Sequence, residues 1–104
     1  MRQAVLTILW EFRVKAGQEA EFERRYGPEG DWAQLFRRSP AYRGTELLRD
    51  TAEPGRYLTL DRWESSAAYE EFKRQVAQEY EQLDRECEAL TESERCLGRF
   101  EPPG

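Results

Sequence analysis

An acid and an indole stand two residues apart near the end of a predicted strand, where together they could act on an aromatic molecule. Asp61 and Trp63 flank Arg62 in a stretch of alternating hydrophobicity, so both side chains point to one face of the sheet. A carboxyl group in an apolar pocket has a raised pKa and can deprotonate a phenol, and an indole holds aromatic molecules by stacking. This pattern predicts Asp61 and Trp63 as catalytic residues if their face meets the helices. The structural alternatives are an interface or surface acid and a core ring.

Four further aromatic side chains are candidates for binding the same molecule. The predicted substrate-binding rings are Trp10, Tyr57, Tyr69 and Phe72. Pockets in α/β folds are lined by rings with a few polar groups. These residues therefore predict a pocket for a small aromatic ligand, although each ring taken alone is as readily explained by a place in the core.

The residue types that are missing exclude several kinds of catalysis. The chain has no histidine and two cysteines, Cys87 and Cys96, whose spacing fits neither a zinc site nor a thioredoxin motif. Histidine is the commonest ligand of zinc and of haem iron, and it is the usual base beside a nucleophilic serine or cysteine. We therefore expect no metal, no haem and two reduced thiols. A disulfide between the cysteines remains open.

Charge and hydropathy exclude two classes of partner. The 104 residues include 16 basic and 21 acidic side chains, for a net charge of −5, whereas nucleic-acid binding needs a basic face. The longest apolar run, Ala4–Trp10, is far shorter than the roughly 20 residues that span a bilayer, and no signal peptide is visible. We expect a cytoplasmic protein that binds neither nucleic acid nor membranes.

Period-two alternation predicts four strands. They span Ala4–Val14, Tyr42–Asp50, Arg56–Glu64 and Arg95–Glu101. Gly44 weakens the second strand and is expected to mark a bulge. The turn at Pro54 and Gly55 joins the second and third strands as an antiparallel hairpin.

Two short helices are predicted between the first two strands. The first carries Phe22 and Tyr26, which lie on one face at a spacing of one helical turn. The second begins with a capping box formed by Asp31 and Gln34 and ends before Pro40.

A longer helix is predicted between the last two strands. Apolar residues follow helical spacing from Tyr69 to Leu90, after an N-cap at Ser65 or Ser66. A continuous helix over this range would be about 33 Å long, which exceeds what the sheet needs. A break is therefore expected near Tyr80.

This order of elements is typical of an α+β, ferredoxin-like split β-α-β fold with a four-stranded antiparallel sheet and its helices on one face. Residues 1–101 form the single domain and residues 102–104 a tail. The uncovered sheet face should carry apolar residues, because both faces of the first and third strands do. Such a face predicts a homodimer with the two sheets facing each other.

Two segments resemble motifs of the antibiotic-biosynthesis monooxygenase (ABM) domain family. Glu11–Gly17 (Glu-Phe-Arg-Val-Lys-Ala-Gly), before an acidic helix with Phe22, is similar to the first motif. Tyr57–Ser65, which ends in Trp-Glu-Ser before a helix with Tyr69, is similar to the second and is the more specific of the two. With the order of elements, the likeness covers nearly the whole chain. It implies a dimeric α/β barrel, an oxidoreductase activity and a small-molecule substrate.

The resemblance implies roles for a few positions. Haem-degrading members use a histidine, an asparagine and the tryptophan at the end of the third strand; only Trp63 is present here, so haem degradation is not expected. Members that oxidise polyketides without a cofactor pair an asparagine with that tryptophan. Thr59 stands at the asparagine position and joins the predicted substrate-binding residues, and Tyr69 stands where a tyrosine lines the pocket.

Two functions from different classes remain open at this point. One is a cofactor-independent monooxygenase that acts on an aromatic or polyketide-like molecule; a quinone-related oxidoreductase of the same superfamily is a weaker variant. The other is a non-catalytic module that binds a small ligand or only dimerises. A hollow bordered by Trp63, Tyr69 and Asp61 would favour the enzyme.

Overall fold

A four-stranded antiparallel sheet forms the base of the molecule. The computed structural model describes residues 5–103. Its strands are β1 (Leu6–Val14), β2 (Tyr42–Arg49), β3 (Arg56–Trp63) and β4 (Thr91–Phe100), in the order β2-β3-β1-β4. Each neighbouring pair is antiparallel. The ferredoxin-like split β-α-β topology is therefore confirmed.

The strand boundaries agree with the predicted ones to within one residue, apart from the starts of β1 and β4. The predicted start of β1 at Ala4 lies outside the described residues. Strand β4 begins at Thr91, four residues before the predicted Arg95. Its first residues are polar and do not alternate, yet they pair with β1 through the backbone up to Val14. Backbone pairing of an edge strand needs no hydrophobic pattern, which is why the sequence missed it.

In the described part of the chain, four helices and a short 3₁₀ turn cover one face of the sheet. They are α1 (Glu19–Tyr26), α2 (Asp31–Phe36), α3 (Ser66–Gln75), α4 (Ala77–Cys87) and the turn Glu88–Leu90. The inward residues of β1 and β3 form one buried cluster with the apolar stripes of these helices. No helix within residues 5–103 is both long enough and apolar enough to cross a membrane.

The starts of α2 and α3 follow different physical rules. Ser65 caps α3 as predicted, since its side chain accepts a hydrogen bond from the Ala68 amide over 3.1 Å. The predicted capping box in α2 is wrong: Asp31 is already helical, and the N-cap is Gly30. A Cβ at position 30 would come within 2.5 Å of the carbonyl oxygens of Arg24 and Arg25, so only glycine fits this close approach.

The predicted break in the long helical stripe lies at Val76, one turn before the expected Tyr80. Val76 has φ −114° and ψ 27°, which ends α3 and starts α4 in a new direction. The bend keeps Val76 buried and brings Tyr80 to the ring of Trp32 on α2, with centroids 4.9 Å apart. The break at Val76 therefore accompanies a contact between α4 and α2 that the helical periodicity does not reveal.

The bulge predicted at Gly44 is present and reorients β2. Tyr42 pairs with Trp63 and Gly44 with Arg62, so Arg43 is an extra residue. Gly44 has φ +127°, which other residues rarely adopt. Residues three apart on a regular strand face opposite ways. The bulge instead places Tyr42 and Thr45 on the same, helix-covered face.

The other face of the sheet has no cover from the described residues. Its apolar side chains lie in adjacent rows of the register: Leu9, Leu48, Leu58, Leu60 and Phe100. Leu48 is 46% and Phe100 51% exposed, which is high for large apolar side chains. This face is the surface on which the predicted homodimer depends.

The two cysteines lie in different environments. Cys87, at the end of α4, is buried, whereas Cys96, on the edge strand β4, is exposed. Both are free thiols in the structure, as the sequence analysis favoured.

Candidate functional site

A cavity of about 240 Å³ lies between the sheet and the helices. Its helical wall is aromatic, and the rings belong to Tyr26, Trp32, Phe36, Tyr69 and Tyr80. The centroid of Trp32 lies 6.1 Å from Tyr26, 5.9 Å from Phe36 and 4.9 Å from Tyr80. Each helix therefore contributes at least one ring, and these rings define a space suited to a flat apolar molecule.

The sheet contributes most of the polar side chains of the cavity. Trp10 and Phe12 of β1 line it beside Thr59 and Asp61 of β3, with Thr45 of β2 at the edge. The register explains this grouping, because Trp10 pairs with Thr59 and Thr45 pairs with Asp61. Alternation on β3 had predicted that Thr59 and Asp61 share a face, and that face does meet the helices.

Asp61 accepts a short hydrogen bond at the cavity wall. The Thr45 hydroxyl donates to its Oδ1 over 2.6 Å, and the Tyr42 hydroxyl lies 2.5 Å from the same Thr45 oxygen. Thr45 has one hydroxyl hydrogen, so Tyr42 must donate to it while Asp61 is ionised. Burial raises the pKa of Asp61 to about 6, against the opposing effect of the Thr45 hydrogen bond. A carboxyl group with this pKa can exchange a proton close to neutral pH.

Two more carboxylates line the cavity away from Asp61. Asp84 lies on α4, one turn after Tyr80, and Glu94 lies on β4. The pKa of Glu94 is raised, first by desolvation and then by the negative charges of Asp84 and Glu88. This end of the cavity is therefore rich in negative charge.

The tyrosine hydroxyls of the wall are neutral phenols at ordinary pH. Burial is the main reason that the pKa of Tyr26, Tyr69 and Tyr80 is raised. None of the three can serve as a base near neutrality. They can hold a ring and donate a hydrogen bond.

The seven predicted site residues divide into two groups. Those that line the cavity are Trp10, Thr59, Asp61 and Tyr69. Those that do not are Tyr57, Trp63 and Phe72, all of which are almost fully buried. Trp63 and Phe72 lie one layer behind the wall, and Tyr57 is bonded to α1.

Trp63 supports the cavity wall from behind. Its ring packs against Phe36 at 5.3 Å and Tyr69 at 5.2 Å, and both of these rings line the cavity. The indole is 0% exposed, and its N–H has no hydrogen-bond acceptor among residues 5–103. Trp63 thus has no direct access to a molecule in the cavity.

Tyr57 and Phe72 contact residues outside the cavity or behind its wall. The Tyr57 hydroxyl donates to a carboxylate oxygen of Glu23 on α1 over 2.6 Å, which turns it away from the cavity. Phe72 packs on Trp63 at 5.4 Å and on Phe36 at 6.2 Å. Both rings therefore stabilise the layer that carries the wall.

Most of the sequence matches a known protein family. Residues 5–79, more than half of the chain, match the family model described as antibiotic biosynthesis monooxygenase. The chain belongs to the antibiotic biosynthesis monooxygenase family. The resemblance noted in the sequence is thereby confirmed. No curated protein matches the sequence of this ABM chain.

Solved structures share the ABM fold at low sequence identity. A mutant of SnoaB, a cofactor-independent oxygenase from Streptomyces nogalater, superposes with a TM-score of 0.78 at 23% identity, covering 99% of this chain and 96% of its own. PA3566 from Pseudomonas aeruginosa gives 0.71 at 16% identity, covering all of both chains. A mutant of MhuD, crystallised with two manganese protoporphyrin IX molecules per active site, gives 0.71 at 24% identity, covering 96% and 95%. These likenesses show the fold.

Several cavity residues of this ABM chain were missed in the sequence. Trp32, Phe36 and Tyr80 line the cavity from helices, where an apolar residue at helical spacing predicts burial without saying what the ring faces. Asp84 and Glu94 gave no signal, because they are two acids among the 21 of the chain. Only the packing of α2 and α4 over β1 and β4 brings these side chains to one cavity.

Proposed function

We propose that this ABM protein is a cofactor-independent monooxygenase that oxidises a small aromatic, polyketide-like molecule. The observation that carries the proposal is a carboxylate, Asp61, in the wall of a cavity otherwise built mainly from aromatic rings. A base with a pKa near the working pH is efficient in proton transfer, and that of Asp61 is about 6. The description of SnoaB as a cofactor-independent oxygenase supports the same activity.

The reaction would convert a CH₂ group between two aromatic rings into a carbonyl. Asp61 removes one proton from this acidic carbon, and the remaining electron pair forms a carbon–oxygen bond with O₂. Protonation of the outer oxygen gives a hydroperoxide. Loss of the second C–H proton then breaks the O–O bond and releases water. In sum, the substrate and O₂ give the ketone and H₂O, with the four electrons that the carbon loses accepted by O₂.

The wall residues bind and orient the substrate in this scheme. Trp10 and Tyr69 hold the ring system, and Thr59 provides a hydroxyl beside Trp10 on the sheet. Trp63, with Tyr57 and Phe72, acts as a positioning residue, because it touches the wall rings and not the cavity. An apolar wall also limits water, which would otherwise stabilise the substrate anion and slow its reaction with O₂.

Oxygen uptake with an anthrone, compared with buffer alone, tests the proposal. We expect the protein to accelerate uptake and Asp61→Asn to abolish the acceleration, since an amide cannot accept the proton. Glu92→Gln, an exposed acid on β4 outside the cavity, is the control and should behave as the parent. No acceleration by the parent protein over a panel of anthrones would contradict the proposal.

The burial of Trp63 favours one alternative, a module that binds a small ligand without chemistry. The ring at the position that the family resemblance marks does not reach the cavity in this chain. Tight binding of aromatic molecules with no oxygen uptake would identify this function. Calorimetric titration with anthrones measures this binding.

We further propose that the protein acts as a homodimer in the cytoplasm. The uncovered apolar sheet face supports the dimer. The two free thiols support a reducing compartment.

A further inference from the structure

The cavity contains negative charge that no cation of the described chain neutralises. Asp61, Asp84 and Glu94 line it, and no lysine or arginine among residues 5–103 does. None of the ion pairs formed within this range includes any of these three acids. The arginines of this range pair instead with acids outside the cavity.

The cations nearest to the wall are engaged with its rings. Lys73 Nζ lies 5.3 Å from the centroid of Tyr69 and 5.1 Å from that of Tyr80. Arg99 binds Glu70 and Ser66 on α3, and its guanidinium lies 5.2 Å from the Tyr69 centroid. Neither cation lines the cavity, so neither meets the carboxylates there.

The acids are separated along the cavity. Asp61 pairs with Ile8 on one side of β1, and Glu94 pairs with Phe12 on the other side. Asp61 and Glu94 are thus four residues apart along the strand direction and two strands apart across the sheet. This geometry separates their Cα atoms by about 16 Å. The ring of Trp10 lies between them in the wall. A molecule of two or three fused rings can therefore have one end at Asp61 and the other near Glu94.

The end of the cavity that holds Asp84 and Glu94 is also walled by aromatic rings. Tyr80 lies one turn before Asp84 on α4, and its ring packs on that of Trp32 with centroids 4.9 Å apart. Rings with carboxylates beside them are the recognised setting for a protonated amine, through cation–π and ionic contacts.

We propose that the cavity selects a hydroxyl-bearing aromatic molecule with a protonated amine at its far end, which Asp84 and Glu94 bind, and that it rejects the corresponding carboxylate. The assignment of the near end to Asp61 rests on the function proposed above. The choice of amine over carboxylate rests only on the charges and rings of the far end. An anion there would face Asp84 and Glu94 with no compensating cation.

Calorimetric titration under nitrogen with three naphthols tests this inference. The three carry an aminomethyl, a methyl or a carboxylate group on the ring distant from the hydroxyl, so they differ mainly in charge. We expect the amine to bind roughly tenfold more tightly than the methyl compound, and the carboxylate more weakly than either. The advantage of the amine should shrink at high salt.

A matched pair of double variants assigns the effect to the two acids. Asp84→Asn with Glu94→Gln should bring the amine to the affinity of the methyl compound. Glu81→Gln with Glu92→Gln removes two exposed charges outside the cavity and should change nothing. Equal binding of amine and carboxylate, or equal effects of the two double variants, would overturn the inference.

Because binding is measured without oxygen, this test is independent of the oxidation. Selective binding of the amine with no later oxygen uptake upholds the ligand class and contradicts the monooxygenase. Oxidation of anthrones without any preference for the amine upholds the monooxygenase and contradicts the ligand class. Failure of all three naphthols to bind contradicts the ligand class.

Discussion

The Thr45 hydroxyl donates a hydrogen bond to Asp61 Oδ1 over 2.6 Å, from the neighbouring strand. This contact exists because the bulge at Gly44 turns Tyr42 and Thr45 to the same face, where Tyr42 completes a chain of three groups. The charged form of Asp61 accepts the bond, so Thr45 lowers a pKa that burial raises. The working pH of the proposed base is thus adjusted from β2.

Thr45→Val should move the pH dependence of oxygen uptake upward. Without the hydroxyl, the Asp61 carboxylate loses its donor, and its pKa rises further above about 6. We expect the acidic limb of the rate profile to shift by about one pH unit, the size of one hydrogen bond to a charged group. Thr51→Val, in an exposed turn, is the control. An unshifted profile would show that Thr45 does not adjust Asp61.

Asp61→Asn should stabilise the fold at neutral pH while it removes activity. The folded-state pKa of Asp61, about 6, lies above the ordinary value of 3.8, so the folded chain binds the proton more tightly. The stability that this bound proton contributes is fully present below the unfolded pKa of 3.8, and it is lost as the pH rises through the folded pKa of about 6. Asparagine stays neutral throughout. We expect a gain of about 2 kcal/mol in the free energy of unfolding at pH 7, by urea denaturation, and almost none at pH 4.

Trp63→Phe should leave kcat and KM within about threefold of the parent, because the indole does not touch the cavity. The same change removes an N–H that has no acceptor among the described residues, which offsets part of the lost packing. Trp63→Ala should instead cost about 3–5 kcal/mol of stability by leaving a hole behind Phe36 and Tyr69. A large loss of kcat in a fully folded Trp63→Phe variant would argue for a direct catalytic role.

Leu60→Glu should convert the proposed dimer into monomers. Leu60 pairs with Leu9 at the centre of the uncovered face, where a buried charge in a sheet-to-sheet interface would have no partner. Gln78→Glu adds the same charge on the exposed surface of α4 and should leave the dimer intact. Sedimentation velocity at micromolar concentration measures both. A monomeric parent protein would contradict the proposal.

Local sequence patterns were sufficient wherever the structure depends on neighbours in the chain. Alternation placed Asp61 and Thr59 on one shared face, Ser65 was one of two N-cap candidates and is the cap, and Gly44 marked a real bulge. Each of these rests on backbone periodicity or on a contact within a few residues. The capping box at Asp31 failed because a close approach of two backbone segments requires glycine at the preceding position.

The site could be predicted only in part. Four of its residues were found because strand periodicity and the family resemblance marked them, whereas Trp32, Tyr80 and Glu94 were not. Helical periodicity says that a ring is buried; it does not say whether the ring borders a hollow or other side chains. Trp63 illustrates the difference, since a fully buried position behind the wall and a place in the wall have the same sequence pattern.

The amino-acid sequence alone determined the order of strands and helices, which strand residues share a face and the absence of histidine chemistry, because these follow from periodicity and composition. Tertiary structure decided which rings enclose the cavity, where the long helix breaks at Val76, and that Asp84 and Glu94 meet at the end away from Asp61. These features depend on contacts between elements far apart in the chain, and such contacts have no local signature.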